Sequence, residues 1–257
     1  MIGRSIEYEK MFAVERDLWW YRSLHGRVLD ALNATFSTKN LRILDAGCGT
    51  GGMLERLREA GYPNLRGFDA SSDAVAFTRQ RGFALETGTL QDLPGLFPGE
   101  RFDVVICNDV ITYLADEEIV AFFREVRQRL LPGGVFITNN CALGVFYGAH
   151  DVAVDSLRRF SRPELRRLGA AAGFRATLAT YWSLVLSPLI LAVRSAQRFS
   201  LRRGWLKPEA VTSDVVLPAA PLNAAFTWLN RLERRWLRSA PFGSSVFVVF
   251  SPETDAD

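Results

Sequence analysis

The stretch LDAGCGTGG at 44–52 constrains the fold of this chain more than any other feature of its sequence. Four of its nine residues are glycine, and it continues the strand-like pattern LRIL at 41–44. Glycine has no Cβ, so such a loop can adopt positive φ and let its backbone approach a ligand closely. A helix pattern follows at 52–61. A glycine loop between a first strand and a first helix is where a doubly wound sheet binds its ligand.

Strand-like and helix-like patterns alternate along the next part of the chain. The uniformly apolar stretch at 101–109 is bounded by charged residues, which is typical of a strand buried on both faces. Because helix-length segments separate successive strands, we expect the strands to pair in parallel. The predicted strands lie at 41–47, 65–71, 83–88, 101–109 and 135–141, and the predicted helices at 8–34, 52–61, 72–82, 116–134 and 161–174.

The C-terminal third of the chain is less regular. Residues 176–193 form an uncharged run of 18 residues flanked by arginines. A membrane-spanning helix needs about 20 predominantly apolar residues, whereas threonine, serine and proline interrupt this run. We therefore predict a strand at 176–182 followed by a buried helix rather than a transmembrane segment. An amphipathic helix at 222–240 and a last strand at 244–250 complete the pattern.

These elements predict an α/β fold. We expect a doubly wound, Rossmann-like sheet of seven mostly parallel strands, with an N-terminal helix and a helical C-terminal insertion. The chain has 257 residues, of which 48% are hydrophobic, and this is enough to bury the core of one large domain.

Charge is distributed unevenly along the chain. The formal net charge of +3 gives no indication of a nucleic-acid partner. Residues 1–150 carry 16 basic and 19 acidic side chains, whereas residues 151–250 carry 15 basic and 6 acidic ones, a net charge of +9. The three cysteines lack metal-ligand spacing, and the N-terminus lacks the apolar core of a signal peptide. We therefore expect a cytoplasmic protein with neither disulfides nor a bound metal.

Asp45 distinguishes between the ligands that a glycine loop can hold. Gly47, Gly49 and Gly52 fit the G-x-G-x-x-G pattern of nicotinamide and flavin enzymes, but that match alone is weak. A carboxylate at the end of the strand would repel the pyrophosphate of such a cofactor in a partly desolvated site. The same carboxylate favours a ligand that carries an ammonium and a sulfonium and no phosphate. The sequence therefore predicts S-adenosylmethionine as the cofactor.

Four motifs together resemble those of class I S-adenosylmethionine-dependent methyltransferases. They are ILDAGCGTGGML at the glycine loop, LRGFDAS at the second strand, ETGTLQDLP at the third and FDVVICNDVITYLAD at the fourth. The resemblance implies that Asp69 accepts hydrogen bonds from both ribose hydroxyls and that Asn108 lies against the methionine portion. Thr89 and Leu90 would border the adenine. The remaining residues that the resemblance assigns to the cofactor are Asp45, Gly47, Cys48, Gly49 and Ala70.

The N-terminal helix is expected to close over the cofactor, as it often does in relatives of this family. Trp20 is assigned to the cofactor site, although Trp19, Trp20 and Tyr21 together could equally form an ordinary core cluster. Arg22 is the candidate for binding the methionine carboxylate, because a guanidinium binds a carboxylate through two parallel hydrogen bonds.

Methyl transfer is an in-line displacement at carbon, so a base is needed only if the acceptor arrives protonated. The segment GAHDVAVDSLRRFSRPEL at 148–165 follows the fifth strand and resembles a His-Asp…Arg-Arg-Tyr-Ser stretch in relatives. His150 is the candidate base, with a structural hydrogen-bonding role as the alternative. Tyr113 is a second catalytic candidate, because it stands where relatives often carry histidine. We predict that Tyr147, His150 and Arg159 border the acceptor.

Three classes of function remain open. The favoured one is a methyltransferase that acts on nitrogen or oxygen of a small-molecule acceptor. A nucleic-acid or protein methyltransferase docking through the basic C-terminal region is less favoured, because NDVITY stands where an Asn/Asp-Pro-Pro-Tyr/Phe motif would be needed. The third class is a protein of this fold that binds the cofactor without methylating.

The resemblance also suggests how the chain is organised. We expect an N-terminal helical cap at 1–40, a cofactor-binding core at 41–175, and a segment at 176–257 that completes the sheet and covers the acceptor. The expected partner is a small molecule, with no nucleic acid. Arginines and tryptophans near the C-terminus would permit contact with a membrane surface, but the sequence alone gives no reason to expect it.

Overall fold

Seven strands form one sheet in the computed structural model, which describes residues 5–205, 211 and 213–253. The strands are β1 (Arg42–Ala46), β2 (Asn64–Asp69), β3 (Glu86–Thr87), β4 (Phe102–Asn108), β5 (Leu130–Cys141), β6 (Phe174–Trp182) and β7 (Ser245–Pro252). Their order across the sheet is β3-β2-β1-β4-β5-β7-β6. The first five pair in parallel, and β7 lies antiparallel between β5 and β6. The predicted α/β fold with a seven-stranded, mostly parallel sheet is confirmed.

Helices cover the sheet, and their ends follow local sequence signals. Ser161 Oγ accepts a hydrogen bond from Glu164 N at 3.3 Å, and Pro163 lies in the first turn that follows. Ser71 Oγ caps another helix in the same way through Ala74 N. The described α-helices are α1 (Ser5–Val14), α2 (Trp19–Thr35), α3 (Gly52–Glu59), α4 (Ser72–Gln80), α5 (Asp116–Arg129), α6 (Ala149–Ala153), α7 (Arg162–Ala171), α8 (Ser187–Arg202) and α9 (Ala220–Trp236).

The core has two layers, one on each face of the sheet. Successive residues of a strand point to opposite faces, so Val105 of β4 packs in one layer and Val104 in the other. The first layer is rich in phenylalanine: the rings of Phe136 and Phe250 stack with centroids 5.9 Å apart. The second layer brings α2 against the sheet through Val28. Burial on both faces explains why β4 is apolar from Val104 to Cys107.

Several predicted boundaries are wrong, and each has a physical cause. The single helix predicted at 8–34 is interrupted between α1 and α2, where Glu15 turns inward to the glycine loop. The helix predicted at 116–134 ends at Arg129, and β5 begins at Leu130, before the Pro-Gly-Gly sequence. The third strand is only two residues long. The helix predicted to be buried after 182 is α8, in which Ser187 is the one buried residue.

Two further observations concern the C-terminal part of the chain. No helix among the described residues is both long and apolar enough to cross a membrane. The expected boundary at 175 falls inside β6, so the segments at 41–175 and 176–257 share one sheet.

Candidate functional site

A cavity of about 710 Å³ lies at the carboxyl ends of β1, β2, β4 and β5. This edge of a parallel sheet is where ligands bind in open α/β folds. α1 and α2 contribute one wall, and α6 and α8 contribute another. The residues that the sequence predicted and that line the cavity are Trp20, Asp45, Gly47, Cys48, Gly49, Asp69, Ala70, Thr89, Leu90, Asn108, Tyr113, His150 and Arg159.

The glycine loop is built by backbone contacts that other residues would disturb. Gly47 has φ of 75°, and a Cβ placed on it would lie 2.5 Å from a methyl carbon of Val110. Its N–H donates to the Phe68 carbonyl at 2.9 Å, which ties the loop to the end of β2. The loop therefore needs glycine at this position for both its conformation and its packing.

Asp69 joins the glycine loop to the end of β2. Its Oδ2 accepts from Gly49 N at 2.9 Å, and its Oδ1 accepts from Ser71 N at 2.9 Å. Burial raises the pKa of this carboxyl, and these backbone hydrogen bonds oppose the shift. A carboxylate offers about four acceptor positions, so both oxygens retain capacity for hydroxyl donors in the cavity.

Asp45 is a buried carboxyl whose charged neighbours, among the described residues, are the acids Glu15 and Asp69. It is 2% exposed. Desolvation, together with the charges of Glu15 and Asp69, raises its pKa to about 8. Within the described part of the chain, no side chain forms an ion pair with it. A cationic ligand in the cavity would lower this pKa and supply the missing charge.

Glu15 was not identified from the sequence, and it clamps the glycine loop. Its Oε2 accepts from Gly52 N at 3.0 Å and from Arg81 Nη2 at 3.2 Å. Arg81 also donates to the Thr50 carbonyl at 2.7 Å. Burial raises the pKa of Glu15 to about 7 despite these contacts. No local motif marks Glu15, because its partners lie 37 and 66 residues away.

Asp109 was also missed, although it follows the predicted Asn108 directly. It has φ of 57°, a left-handed conformation that directs its side chain toward the cavity wall. Its Oδ2 accepts from Asn139 Nδ2 at 2.8 Å, and Asn139 in turn accepts from Trp182 Nε1 at 2.8 Å. Oδ1 is buried and, among the described residues, has no partner in good hydrogen-bond geometry, while the neighbouring Cys141 lowers the pKa of the carboxyl. Burial raises the pKa of Asp109 to about 7. The positive φ of a non-glycine residue is the signal that sequence patterns do not reveal.

An ion pair between Arg159 and Asp151 stabilises another part of the cavity wall. Arg159 donates from Nε and Nη2 to the two carboxylate oxygens of Asp151, at 2.8 and 3.0 Å. Arg159 also donates to the Ala142 carbonyl at 3.0 Å. Asp151 Oδ2 accepts from Gly148 N at 2.8 Å, which fixes the start of α6. Arg159 thus borders the cavity while its guanidinium is engaged with the protein.

His150 and Tyr113 face the cavity near this ion pair. Asp214 N donates to His150 Nδ1 at 3.4 Å. Burial lowers the pKa of His150, so the imidazole is neutral near pH 7 and can accept a proton. The Tyr113 hydroxyl donates to the Val154 carbonyl at 2.9 Å, and burial raises its pKa. Tyr113 therefore stays protonated at neutral pH, which makes it a hydrogen-bonding group and not a base.

Two predicted site residues lie elsewhere. Arg22 lines a second cavity of about 320 Å³, together with Arg16 and Glu55, on the side of α2 turned away from Tyr21. One residue step around a helix rotates a side chain by about 100°, so Tyr21 enters the core and Arg22 faces outward. Tyr147 is 40% exposed and is not among the residues that line the larger cavity. Neither placement fits the predicted role.

Metal binding was also tested. Among the residues that the structure describes, no group of three or more His, Cys, Asp or Glu side chains is arranged to hold a metal ion.

Comparison with known proteins identifies the family of the central segment. Residues 43–134 match the family model described as a methyltransferase domain. The chain is 33% identical over 112 residues to a ubiquinone biosynthesis O-methyltransferase of Cereibacter sphaeroides, covering 41% of this chain and 43% of that one. It is 30% identical over 105 residues to phosphoethanolamine N-methyltransferase 3 of Arabidopsis thaliana, covering 39% and 21%. The matched segment spans less than half the length of each of these relatives.

Solved structures share the fold over most of the chain. An S-adenosylmethionine-dependent methyltransferase of Clostridium acetobutylicum superposes with a TM-score of 0.58 at 11% identity, covering 97% of both chains. A TehB-like S-adenosylmethionine-dependent methyltransferase of Corynebacterium glutamicum superposes with a TM-score of 0.52 at 14% identity, covering 89% of this chain and 87% of that one. At such low identity these likenesses describe the fold alone. Together, the four motifs and the family model identify residues 43–134 as a methyltransferase domain similar to those of class I S-adenosylmethionine-dependent methyltransferases.

Proposed function

We propose that the protein transfers a methyl group from S-adenosylmethionine to an oxygen or nitrogen of a small-molecule acceptor. The observation that carries this proposal is Asp45, a carboxyl that is 2% exposed, borders the cavity and has its pKa raised to about 8. Such a group destabilises the ligand-free protein once it ionises, and a bound cation removes that penalty. A cofactor with an ammonium and a sulfonium supplies the cation.

The residues present fit this cofactor along the whole glycine loop. Asp69 has acceptor capacity for a ribose diol, because its two backbone hydrogen bonds leave lone pairs on both oxygens. Ala70 and Leu90 provide an apolar border for an adenine, and Thr89 lies beside them. Asp45 and Asn108 would hold the methionine end. When bound, S-adenosylmethionine supplies an electrophilic methyl group on a positively charged sulfur.

The same acids disfavour a phosphate-bearing cofactor. Glu15, Asp45 and Asp69 all approach the loop, and each has a pKa raised mainly by burial. Placing a pyrophosphate beside these groups would add like charge to a site of low dielectric constant, which costs free energy. The cavity therefore suits a cationic ligand better than the cofactors of nicotinamide and flavin enzymes with a similar glycine pattern.

Two groups can take the acceptor's proton. His150 is neutral near pH 7 because burial lowers its pKa, and it lines the cavity. Asp109 has one buried oxygen without a well-placed partner among the described residues and a pKa raised to about 7, which suits a general base at neutral pH. We propose that one of them receives the proton when the acceptor is a hydroxyl or an ammonium. Arg159, held by Asp151, fixes the wall between them.

A small acceptor fits the remaining space. Beyond the glycine loop, the cavity is bordered by Leu189, Ile190 and Val193 of α8. These apolar side chains favour an acceptor with an apolar part. The names of the relatives, a ubiquinone biosynthesis O-methyltransferase and a phosphoethanolamine N-methyltransferase, also describe small acceptors.

Calorimetry with purified protein tests the cofactor. We expect S-adenosylmethionine and its demethylated product to bind, and NAD and FAD not to bind. Asp69→Ala is expected to weaken cofactor binding by about 1.5–3 kcal/mol, the usual contribution of hydrogen bonds to a charged group. Asp30→Ala, which removes an exposed carboxylate of α2 paired with Arg234, is the matched control and should bind normally. NAD binding without any response to S-adenosylmethionine would refute the proposal.

The pH dependence of turnover distinguishes the two candidate bases. With a hydroxyl acceptor, the variant that removes the true base should lose about tenfold or more in turnover, equivalent to roughly 1.4 kcal/mol, at unchanged cofactor affinity. We compare His150→Gln with Asp109→Asn, which preserve size and hydrogen-bonding groups. If both variants keep the normal rate at every pH, neither residue is the base. Cofactor binding without transfer to any acceptor would support a non-methylating protein instead.

A further inference from the structure

The helices α8 and α9 expose more large apolar side chains than an ordinary surface helix does. A surface helix buries its apolar side and exposes its polar side. Both helices turn polar side chains toward the protein and leave several large apolar ones exposed, although Phe226 of α9 and Ile190 and Leu201 of α8 also face the protein. The amphipathic period of a helix does not determine which of its sides faces the protein, so this orientation needs a physical explanation.

The inward side of α9 is a polar stripe. Asn223, Asn230 and Glu233 are its buried residues, and they recur at spacings of seven and three on one side of the helix. Each is fully engaged with another part of the chain. Asn223 Oδ1 accepts from Trp19 N at 2.9 Å, and Glu233 Oε2 accepts from the backbone N–H of Val185 at 3.2 Å.

The outward side of α9 carries tryptophan. Trp228 is 58% exposed and Trp236 is 75% exposed. Trp228, Leu232 and Arg235 recur at spacings of four and three on the side opposite the polar stripe. Exposed tryptophans on a folded helix are unusual, because burying one contributes a large hydrophobic free energy.

α8 shares part of this pattern, because polar and apolar side chains face the protein together on its inward side. On its inward side, Arg194 is engaged with Asp214, and Arg198 donates to the Tyr147 carbonyl at 2.8 Å. The outward side presents Leu189, Val193 and Phe199, which are 52%, 47% and 49% exposed. The edge of the Trp205 ring lies against Phe199, with centroids 5.5 Å apart, and Trp205 is itself 73% exposed.

The charge around these apolar residues has one sign. Residues 187–205 contain four arginines and no acidic residue. In α9 the one acid is Glu233, which is 5% exposed and pairs with Arg27. Of its three arginines, Arg231 and Arg235 are exposed, whereas Arg234 pairs with Asp30. The outward sides therefore combine large apolar side chains with uncompensated positive charge.

We propose that the outward sides of α8 and α9 dock onto a phospholipid bilayer that contains anionic lipids. Aromatic and aliphatic side chains on one side of a helix, with arginines beside them, insert at the boundary between headgroups and acyl chains. Arginines near the surface add electrostatic attraction to anionic headgroups. Contact of this kind requires neither a spanning helix nor an opening of the fold, and none of the described helices is long and apolar enough to span.

Charge disfavours the alternative of a second copy of this chain. A two-fold dimer places the same surface against itself, so the arginines of one copy would face those of the other. An anionic bilayer instead offers opposite charge over the whole surface. Within the described residues, the side chains that we assign to docking have no aromatic partner on a distant part of the chain; they are Phe199, Trp205, Trp228 and Trp236.

The docked surface adjoins the mouth of the cavity. Leu189 and Val193 belong to the outward side of α8 and also border the cavity. A bilayer against α8 would therefore bring a lipid-dissolved acceptor to the opening without passage through water. This consequence rests on the proposed function, whereas the docking itself does not.

Sedimentation with vesicles tests the docking on the full chain. We expect strong binding to phosphatidylcholine vesicles that contain roughly a third phosphatidylglycerol, weak binding to pure phosphatidylcholine, and release at about 0.5 M salt. Phe199→Ser combined with Trp228→Ser should lower the partition coefficient about tenfold or more, since each removes an inserted ring. Arg202→Glu combined with Arg235→Glu should weaken binding to the anionic vesicles only.

Two controls separate docking from folding and from the cofactor site. Leu157→Ser removes a side chain that is 73% exposed and lies on neither helix, so it should bind vesicles normally. S-adenosylmethionine affinity should be the same in all these variants, because none of the substituted residues lines the cavity. Equal binding to neutral and anionic vesicles would overturn the proposal. It would also be overturned by no binding at all, or by self-association that the double serine variant abolishes.

Discussion

Two buried carboxyls differ in how their charge is compensated: Asp45 lines the cavity, and Asp151 pairs with the cavity-lining Arg159. Asp151 is 1% exposed and receives two hydrogen bonds from the guanidinium of Arg159. Asp45 is 2% exposed, lies among other acids, and has its pKa raised to about 8. Asp151 has its counter-charge in Arg159 without a ligand, whereas Asp45 has none among the described residues.

This difference in charge compensation distinguishes the structural wall at Asp151 and Arg159 from the binding site at the glycine loop. Asp151 and Arg159 neutralise each other and fix the position of His150, so this wall keeps its shape whether or not a ligand is bound. At the glycine loop, ionised acids destabilise the free protein, and a cationic ligand reverses that effect. Incomplete charge compensation thus identifies where the ligand binds more directly than the size of the cavity does.

The largest loss of stability is expected when the ion pair between Asp151 and Arg159 is broken. Asp151→Ala leaves the buried Arg159 without a counter-charge, which should lower the free energy of unfolding by about 3–5 kcal/mol. Urea denaturation measures this loss. Replacing both partners, Asp151→Leu with Arg159→Met, should recover most of it, because no unpaired charge remains buried. If the double variant is as unstable as Asp151→Ala, charge pairing is not the reason for the pair.

Trp182→Phe tests the hydrogen-bond chain that supports Asp109. The substitution keeps an aromatic ring in the core but removes the Nε1–H that donates to Asn139 Oδ1 at 2.8 Å. An unsatisfied buried acceptor costs about 1–3 kcal/mol, so thermal unfolding should shift to lower temperature by a corresponding amount. Trp182→Phe combined with Asn139→Leu should lose less than the sum of the two single variants. Strict additivity would mean that the bond contributes little.

Asp45→Asn is expected to stabilise the folded protein, in contrast to the two preceding variants. The pKa of Asp45 is raised to about 8 in the folded protein from 3.8. The folded state therefore holds the proton more tightly, and the stability that this provides is lost as pH rises from about 4 through 8. Asparagine mimics the protonated form. The variant should be more stable than wild type at pH 8.5, with little difference near pH 4.

The same variant should bind S-adenosylmethionine more weakly, which calorimetry at pH 8.5 would measure. Higher stability combined with lower affinity is the signature of a residue kept for its ligand. Lower stability at pH 8.5 would show that Asp45 is compensated in the free protein.

The smallest effect is expected on the outward side of α9. Trp228→Ser removes a large side chain that is 58% exposed, so the free energy of unfolding in the absence of lipid should change by less than about 0.5 kcal/mol. Chemical denaturation of the lipid-free protein measures it. Trp19, which packs edge-on against Phe226 at 5.7 Å, offers the contrast, and Trp19→Ser should cost several times more. Equal losses would place Trp228 within the core.

The sequence by itself determined the sheet and the cofactor end of the cavity. β4 is apolar from Val104 to Cys107, the glycine loop follows β1, and Asp69 ends β2, so each feature depends on residues close together in the chain. Periodicity, caps and turn residues act over a few positions, and they predicted these elements to within a few residues. The single-helix prediction at 8–34 failed because the break between α1 and α2 depends on a distant contact of Glu15.

The tertiary structure alone decided the rest, because contacts distant in sequence outweigh local preferences. Glu15 reaches Arg81 across 66 residues, and Asn223 reaches the backbone of Trp19 across 204. In α9 the amphipathic period was readable, but the side that faces the protein was not. Partners from elsewhere in the chain satisfy the polar stripe at Asn223, Asn230 and Glu233, so the polar side packs inward and the tryptophans face out. A local pattern states how polar and apolar residues alternate, and only the assembled neighbours determine which of them is buried.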